Sequence, residues 1–377
     1  MRQFLLTLSA ACCLASASEL AFRPHTVATG LKGGYQVVAV DLNRDGKLDL
    51  IALASDMDEL VWLENPGWER HVIVRGVNGM INAAAADVDG DGMPEIALAY
   101  GFDMAAAKST GIVCLLHSGP DPRDLWTSRE LDRLTTSHRL RWADIEGSGH
   151  KALINAPLTG AKALGPDYRD HVPLVIYRGP AWKREIAGDQ NEGVMHGIFP
   201  TDWDGHGRDS ILTASFSGIH RYWLGNGHWM REEISKGDPG SWPHCGASDV
   251  AVGKLGNERF LTAIEPWHGN NVAVYRRVGG TWVRTVIEDG LPDSHSIAAA
   301  DLDGDGSSEI VVAQRGKPGR VVVFSFRGDR WGKSVVDEGM TAASCAVADL
   351  NGDGRPDIAC IGTATENLKW YENLGSK

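Results

Sequence analysis

Residues 300–311 read Ala-Asp301-Leu-Asp303-Gly-Asp305-Gly306-Ser-Ser-Glu309-Ile-Val. Carboxylates fall at loop positions 1, 3, 5 and 9, and Gly at position 6. A hard cation such as Ca²⁺ takes six to eight oxygens at about 2.3–2.6 Å, and a short acidic loop turning at Gly supplies them. The closing acid comes at position 9, not 12, and runs straight into Ile-Val-Val-Ala. The stretch therefore predicts a strand–loop–strand hairpin, not a loop between two helices.

The stretch recurs. Asp41, Asn43, Asp45 and Asp49 form one copy, and Asp87, Asp89, Asp91 and Glu95 another. Asp301, Asp303, Asp305 and Glu309 belong to the copy quoted above, and Asp349, Asn351, Asp353 and Asp357 close the series. Worn copies start at Asp144 and Asp202, and a weaker relic at Gly253. The seven starts are 46 to 58 residues apart. Repeats of that period belong to propellers or solenoids.

A second signal counts the same units. Trp68-Glu-Arg-His-Val-Ile73 recurs from Trp126, Trp182, Trp229, Trp282 and Trp331, and Phe22-Arg-Pro-His-Thr-Val27 stands in front of the first loop. An aromatic followed by alternating polar and apolar residues describes a half-exposed outer strand. The last acidic loop is followed by two apolar runs and no outer strand. Residues 20–30 can supply it, which closes a ring and removes the open sheet edges. The reading is all-β: seven four-stranded blades around a channel.

The repeated Asp-x-[Asp/Asn]-x-Asp-Gly-x-x-[Asp/Glu] resembles the FG-GAP or VCBS-type calcium repeat. Val61-Trp-Leu-Glu-Asn65 and Lys369-Trp-Tyr-Glu-Asn373 are similar to the third-strand segment of that family. The resemblance covers nearly the whole chain and implies about four structural Ca²⁺ sites. It says little about activity, because one fold hosts many chemistries.

Composition narrows the partners. A net charge of −12 argues against nucleic acid or an anionic membrane. Residues 1–17 read as a secretory leader: Arg2, a short apolar run and Ala15-Ser16-Ala17. Leu8-Ser-Ala-Ala-Cys12 approximates a lipoprotein site with one residue too many. Residues 18–377 then form one propeller, secreted or periplasmic, with no membrane span, and a monomer is expected. Cys345 and Cys360 flank one acidic loop, either as a disulfide across a hairpin or as two small buried thiols.

Each inner strand runs into its acidic loop, so strand starts lie on the opposite face, about 20 Å away at about 3.3 Å per residue. Counting back six residues from each marker Asp gives Tyr35, Ile81, His138, His196, His295 and Ala343. His244 falls near the equivalent place in the fifth unit. Loops between second and third strands reach the same face. They carry Tyr100, Asp103, Tyr168, His171, His220, Glu265, Trp267, His268 and Arg315. The long loop of unit three, residues 157–173, is of the kind that serves function more often than not.

A lone His at a strand start is usually structural. Several at equivalent positions, beside Tyr and Arg, suit proton transfer. The chain is similar in this respect to secreted propeller polysaccharide lyases and to the propeller part of aldos-2-ulose dehydratase. That resemblance implies β-elimination on a uronic-acid or keto sugar. His138 or His196 would be the base, Tyr168 the proton donor and Arg139 or Arg315 the carboxylate clamp, with His295 beside them. The His set could instead hold Zn²⁺ or another divalent ion. The competing reading is a non-catalytic propeller that binds glycan or protein. Histidines converging within about 4–6 Å in a deep pocket favour the first reading, and histidines spread over a flat surface the second.

Overall fold

The computed structural model describes residues 20–376. The expected leader at residues 1–17 lies outside the described residues. Within them, 28 strands form seven four-stranded antiparallel sheets. The inner strands are Gly34–Val40, Asn82–Ala86, Ser137–Ala143, Met195–Thr201, Asp249–Leu255, Ser294–Ala300 and Ala342–Ala348. In six blades the four strands follow in chain order. In the seventh, Leu20–Thr29 pairs with Asn367–Ser376 as the outermost strand. The ring closes by joining the chain's two ends, as the phase of the repeats predicts.

Inner strands are rich in Ala, Ser and Gly because seven backbones converge on one axis. Gly197 shows the constraint: a Cβ there would sit 2.8 Å from the Asp249 Cα of the next blade. Larger side chains occupy the spaces between blades. Seven apolar clusters fill the seven interfaces, each drawing on two neighbouring blades. Trp62, fully buried between blades one and two, is typical. Burying each such side chain stabilises the ring by about 1.5–3 kcal/mol.

The acidic loops cap the hairpins. In all four intact copies the closing acid is buried and accepts the N–H of the second loop residue: Leu42, Val88, Leu302 and Leu350. Asp49 and Asp357 spend their other oxygen on the N–H of Asn65 and Asn373. Those two Asn amides then reach the carbonyls of Leu350 and Leu302 in the preceding blade. The Trp-x-Glu-Asn segment thus stitches blade to blade. Cys345 and Cys360, directly opposite in the last inner hairpin, form a disulfide.

A second device explains several buried polar groups. In blades three and seven a third-strand tyrosine donates to an acid of the preceding blade, and a cation seals the pair. Tyr177 and Arg184 hold Asp132, and Tyr371 and Lys369 hold Asp337. In blade five, Tyr275 and Arg284 hold Glu265 of the same blade.

Candidate active site

Strand pairing breaks at one residue in each of five inner strands: Tyr35, His138, His196, His295 and Ala343. An extra residue in one strand is a β-bulge, which bends the strand and re-aims a side chain. Here it turns each of these residues toward the channel mouth. Three of the five are His, and His268 joins them from the loop after Glu258–Glu265. Ring centroids lie 5.0 Å apart for His138–His196, 4.9 Å for His196–His295 and for His196–His268, and 5.0 Å for His268–His295. The Tyr35 hydroxyl stands 3.0 Å from His138 Nε2 and 3.4 Å from His295 Nε2.

Hydrogen bonding assigns the protons. Nδ1 of His196 donates to the Ser248 carbonyl at 3.2 Å, and Nδ1 of His295 to the Ala343 carbonyl at 2.6 Å. A neutral ring with Nδ1–H presents a bare Nε2. Arg315 donates to His268 Nδ1 at 3.1 Å, which leaves the His268 proton on Nε2, 3.3 Å from His196 Nε2. Arg139 donates both to the His196 carbonyl at 2.9 Å and to its Nε2 at 3.3 Å.

The rings are neutral. Burial, then the charge of Arg139, holds His138 and His196 well below the ordinary imidazole range. Burial and the neighbouring His268 do the same for His295. Burial and Arg315 push His268 down to about 3. His196, His268 and His295 each offer a ring nitrogen within 4.8 Å of the other two. Tetrahedral Zn–N bonds of about 2.0–2.1 Å place nitrogens about 3.3 Å apart, so this set suits a three-His metal centre as well as proton transfer.

A cavity of about 280 Å³ opens above the rings. Tyr35, His138, His196, His268 and Arg315 make its polar floor, and Ile81, Phe102, Met104, Leu158 and Trp267 its apolar wall. Trp267 packs on Phe216 and on the edge of Tyr168, and its indole N–H has no partner among the described residues. Larger hollows of about 430 Å³ lie elsewhere. The one between blades two and three is edged by surface Arg129, His150 and Lys151, with no convergent buried groups.

Other sequence candidates are placed elsewhere. Tyr168 braces Trp267 from outside the cavity. Arg139 lies beneath the rings, not beside the opening. Tyr100 packs into the core between blades one and two, and Asp103 caps its own turn through the Ala105 N–H. His171 is exposed and bonded to the Asp189 carbonyl. His220 is buried beside Glu192, which Arg231 neutralises at 2.8 Å. Glu265 is sealed by Tyr275 and Arg284. His244 is exposed on a loop, and Ser248 occupies the fifth blade's place beside the rings. Ile81 and Trp267 of the wall are among the residues that the sequence places at this face, but Phe102, Met104 and Leu158 are not, because nothing in them distinguishes a wall from a core.

At the opposite face the acidic loops divide in two. Carboxylate oxygens of Asp87, Asp89 and Glu95 lie within 4.8 Å of one another, as do those of Asp301, Asp303 and Glu309. The longer Glu latches the hairpin with one oxygen; in Glu95 the other lies 3.4 Å from His117 Nδ1. That oxygen-only set fits a hard cation. In the loops closed by Asp49 and Asp357, both oxygens of the closing acid are taken by backbone N–H groups. There, Asp41 with Asn43 and Asp45, and Asp349 with Asn351 and Asp353, are the remaining oxygen donors.

Comparison with known proteins agrees with this architecture. Residues 110–278 match the family described as aldos-2-ulose dehydratase, beta-propeller domain, and residues 41–98 and 301–360 match the FG-GAP-like repeat. The aldos-2-ulose dehydratase of Phanerodontia chrysosporium is 27% identical over 267 residues, spanning 63% of this chain and 28% of that protein. The chain thus matches just over a quarter of that relative's length. A crystal structure titled as BBS1N in complex with ARL6DN, soaked with mercury, superposes with a TM-score of 0.55 at 11% identity. It covers 93% of this chain and 96% of that one, which is a likeness of fold. The described residues include no helix long and apolar enough to cross a membrane. The chain is a seven-bladed β-propeller with FG-GAP-like repeats, similar through its middle blades to the propeller domain of aldos-2-ulose dehydratase.

Proposed function

We propose that this protein is a carbohydrate-active lyase or dehydratase acting on a keto sugar or a uronic-acid sugar. The observation that carries the reading is the convergence of three neutral imidazoles and one tyrosine at the floor of a single cavity, with His295 packed against them. Similarity to a dehydratase propeller supports it.

In β-elimination a base removes the proton next to a carbonyl, a C=C bond forms, and the β C–O bond breaks. The unprotonated Nε2 of His196 suits the base once substrate displaces the His268 and Arg139 donors that face it. Arg315, in the cavity floor, suits the developing enolate or the substrate carboxylate. Tyr35, not Tyr168, suits the proton donor to the leaving oxygen, since its hydroxyl is the one that reaches the rings. Burial makes each imidazole a weak base. An entering carboxylate would raise its basicity. A divalent ion on His196, His268 and His295 would polarise the substrate carbonyl for the same reaction.

We further propose that the acidic loops hold Ca²⁺ as a structural ion, with Asp87, Asp89 and Glu95 and Asp301, Asp303 and Glu309 as the better-formed sets. The location would be secreted or periplasmic, with a monomeric protein. The second reading, glycan binding without chemistry, draws on the apolar wall around Trp267 and its unpartnered indole N–H.

The test is to incubate the protein with keto sugars and uronate polysaccharides while following ultraviolet absorbance of an unsaturated product. Wild type should give product, and His196→Ala should give none while melting at a similar temperature. Binding of a sugar without product would favour the second reading.

A further inference from the structure

Beneath the imidazoles the channel holds a different kind of site. Arg139 and Arg141 are two residues apart on Ser137–Ala143, so both side chains leave the same face of the strand. They project into a chamber of about 80 Å³, bounded also by Gln36, Asn82, Asp249 and Ser296. Arg139 gives its hydrogen bonds to the His196 carbonyl and ring. Arg141 gives one nitrogen to the Asn82 amide oxygen at 3.2 Å and to the Leu140 carbonyl at 2.7 Å.

Among the described residues, neither guanidinium has a carboxylate oxygen within 4.0 Å. Each guanidinium has five N–H donors, so donors remain on both. Asp249 is the one acid that lines the chamber, and burial raises its pKa although Arg139 and Arg141 pull it down. Burial and Arg139 lower the pKa of Arg141 to about 10, against the opposing effect of Asp249. Two cations and at most one anion therefore share the chamber, with Arg139 buried and Arg141 and Asp249 half-buried. An uncompensated buried charge is costly unless something pairs with it.

We propose that this chamber binds a small monovalent anion, a halide or a simple carboxylate, between Arg139 and Arg141. At about 30 Å³ per water, the space takes one such ion with a water or two. It is far below the roughly 300 Å³ at which ordinary small-molecule sites begin, so it is no sugar subsite. Tyr35 stands between the chamber and the cavity above and lines both. Gln36, Arg141, Ser344 and Cys345 line both the chamber and a hollow of about 430 Å³ that continues along the Ala-rich inner strands toward the acidic loops. The inference does not depend on the proposed reaction.

The experiment is thermal unfolding of the whole chain at fixed ionic strength, replacing a bulky sulfonate by bromide or by formate. Bromide should raise the melting temperature saturably, by about 2–4 °C at high occupancy. Arg141→Met should abolish the shift. Asp249→Asn removes the competing negative charge and should make bromide act at several-fold lower concentration, a gain that poor folding cannot mimic. Anomalous scattering from bromide-soaked crystals should place the ion between the two guanidiniums. Formate that displaces bromide admits carboxylates to the site, and formate that does not confines it to halides. Equal melting in bromide and sulfonate, an unchanged shift in Arg141→Met, or bromide found only elsewhere would overturn the proposal.

Discussion

The two ends of the channel treat charge in opposite ways. At one end, carboxylates crowd together on exposed loops, each loop built almost entirely from its own nine residues. At the other, three imidazoles are buried and a fourth, His268, is half-buried; all are neutral, and each comes from a different blade or loop. The loops are self-contained, so losing one should weaken one hairpin. The imidazole floor is a property of the closed ring, and backbone carbonyls of neighbouring blades orient two of its rings: Ser248 for His196, Ala343 for His295.

The largest expected difference lies in activity. His196→Ala should lower turnover at least about 100-fold, the usual scale of a lost general base. Asp301→Ala should leave turnover near wild type at a temperature where the protein is folded. Comparable losses in both variants would erase the functional distinction between the ends.

Next comes stability. Asp357 accepts the N–H groups of Leu350 and Asn373 while fully buried. Asp357→Ala should cost about 2–4 kcal/mol in denaturant unfolding. A cost near zero would mean that the hairpin does not need its latch.

Acid should act on the ends with opposite signs. The folded-state pKa of His268 is about 3, below its ordinary 6.5. The unfolded chain therefore binds more protons in that window, and stability falls as pH drops below 6.5. Each imidazole contributes a slope of up to about 1.4 kcal/mol per pH unit. Glu309 is raised from 4.5 to about 7, chiefly by burial. Without a cation, its contribution is full below pH 4.5 and is lost as pH rises through 7. In chelator-treated protein, His268→Asn should flatten the acid loss and Glu309→Gln should steepen it. Parallel curves would show that neither group titrates as its surroundings dictate.

A smaller effect concerns calcium itself. Adding Ca²⁺ should raise the melting temperature of wild type, and Glu309→Gln should remove more of that rise than Asp357→Asn. Equal losses would show that the Glu-closed and Asp-closed loops bind alike. The smallest effect is expected at His171. It is exposed and away from the cavity, so His171→Ala should change stability by less than about 0.5 kcal/mol and leave turnover intact.

The same contrast decides what could be read from the chain. Loop chemistry is local, so spacing alone revealed the hairpins, and their phase relative to the Trp series revealed the closure by Leu20–Thr29. Counting back from the marker Asp found Tyr35, His138, His196 and His295, because the bulge recurs at a fixed distance from the loop. The count failed in blade five. Its marker Asp is gone, and His244 was taken where Ser248 stands. Glu265 and His220 looked available because the partners that seal them, Arg284 and Glu192, come from other strands and loops. Tyr168 and Tyr35 exchange importance for a similar reason: reach across the axis is set by seven blades at once.

The most direct test of the central claim is proton abstraction itself. A keto sugar incubated with the protein in deuterated water should, by nuclear magnetic resonance, lose its hydrogen next to the carbonyl to deuterium or proceed to the unsaturated product. Wild type should do so and His196→Ala should not. Exchange at equal rates in both proteins, or in neither across keto sugars and uronates, would contradict it.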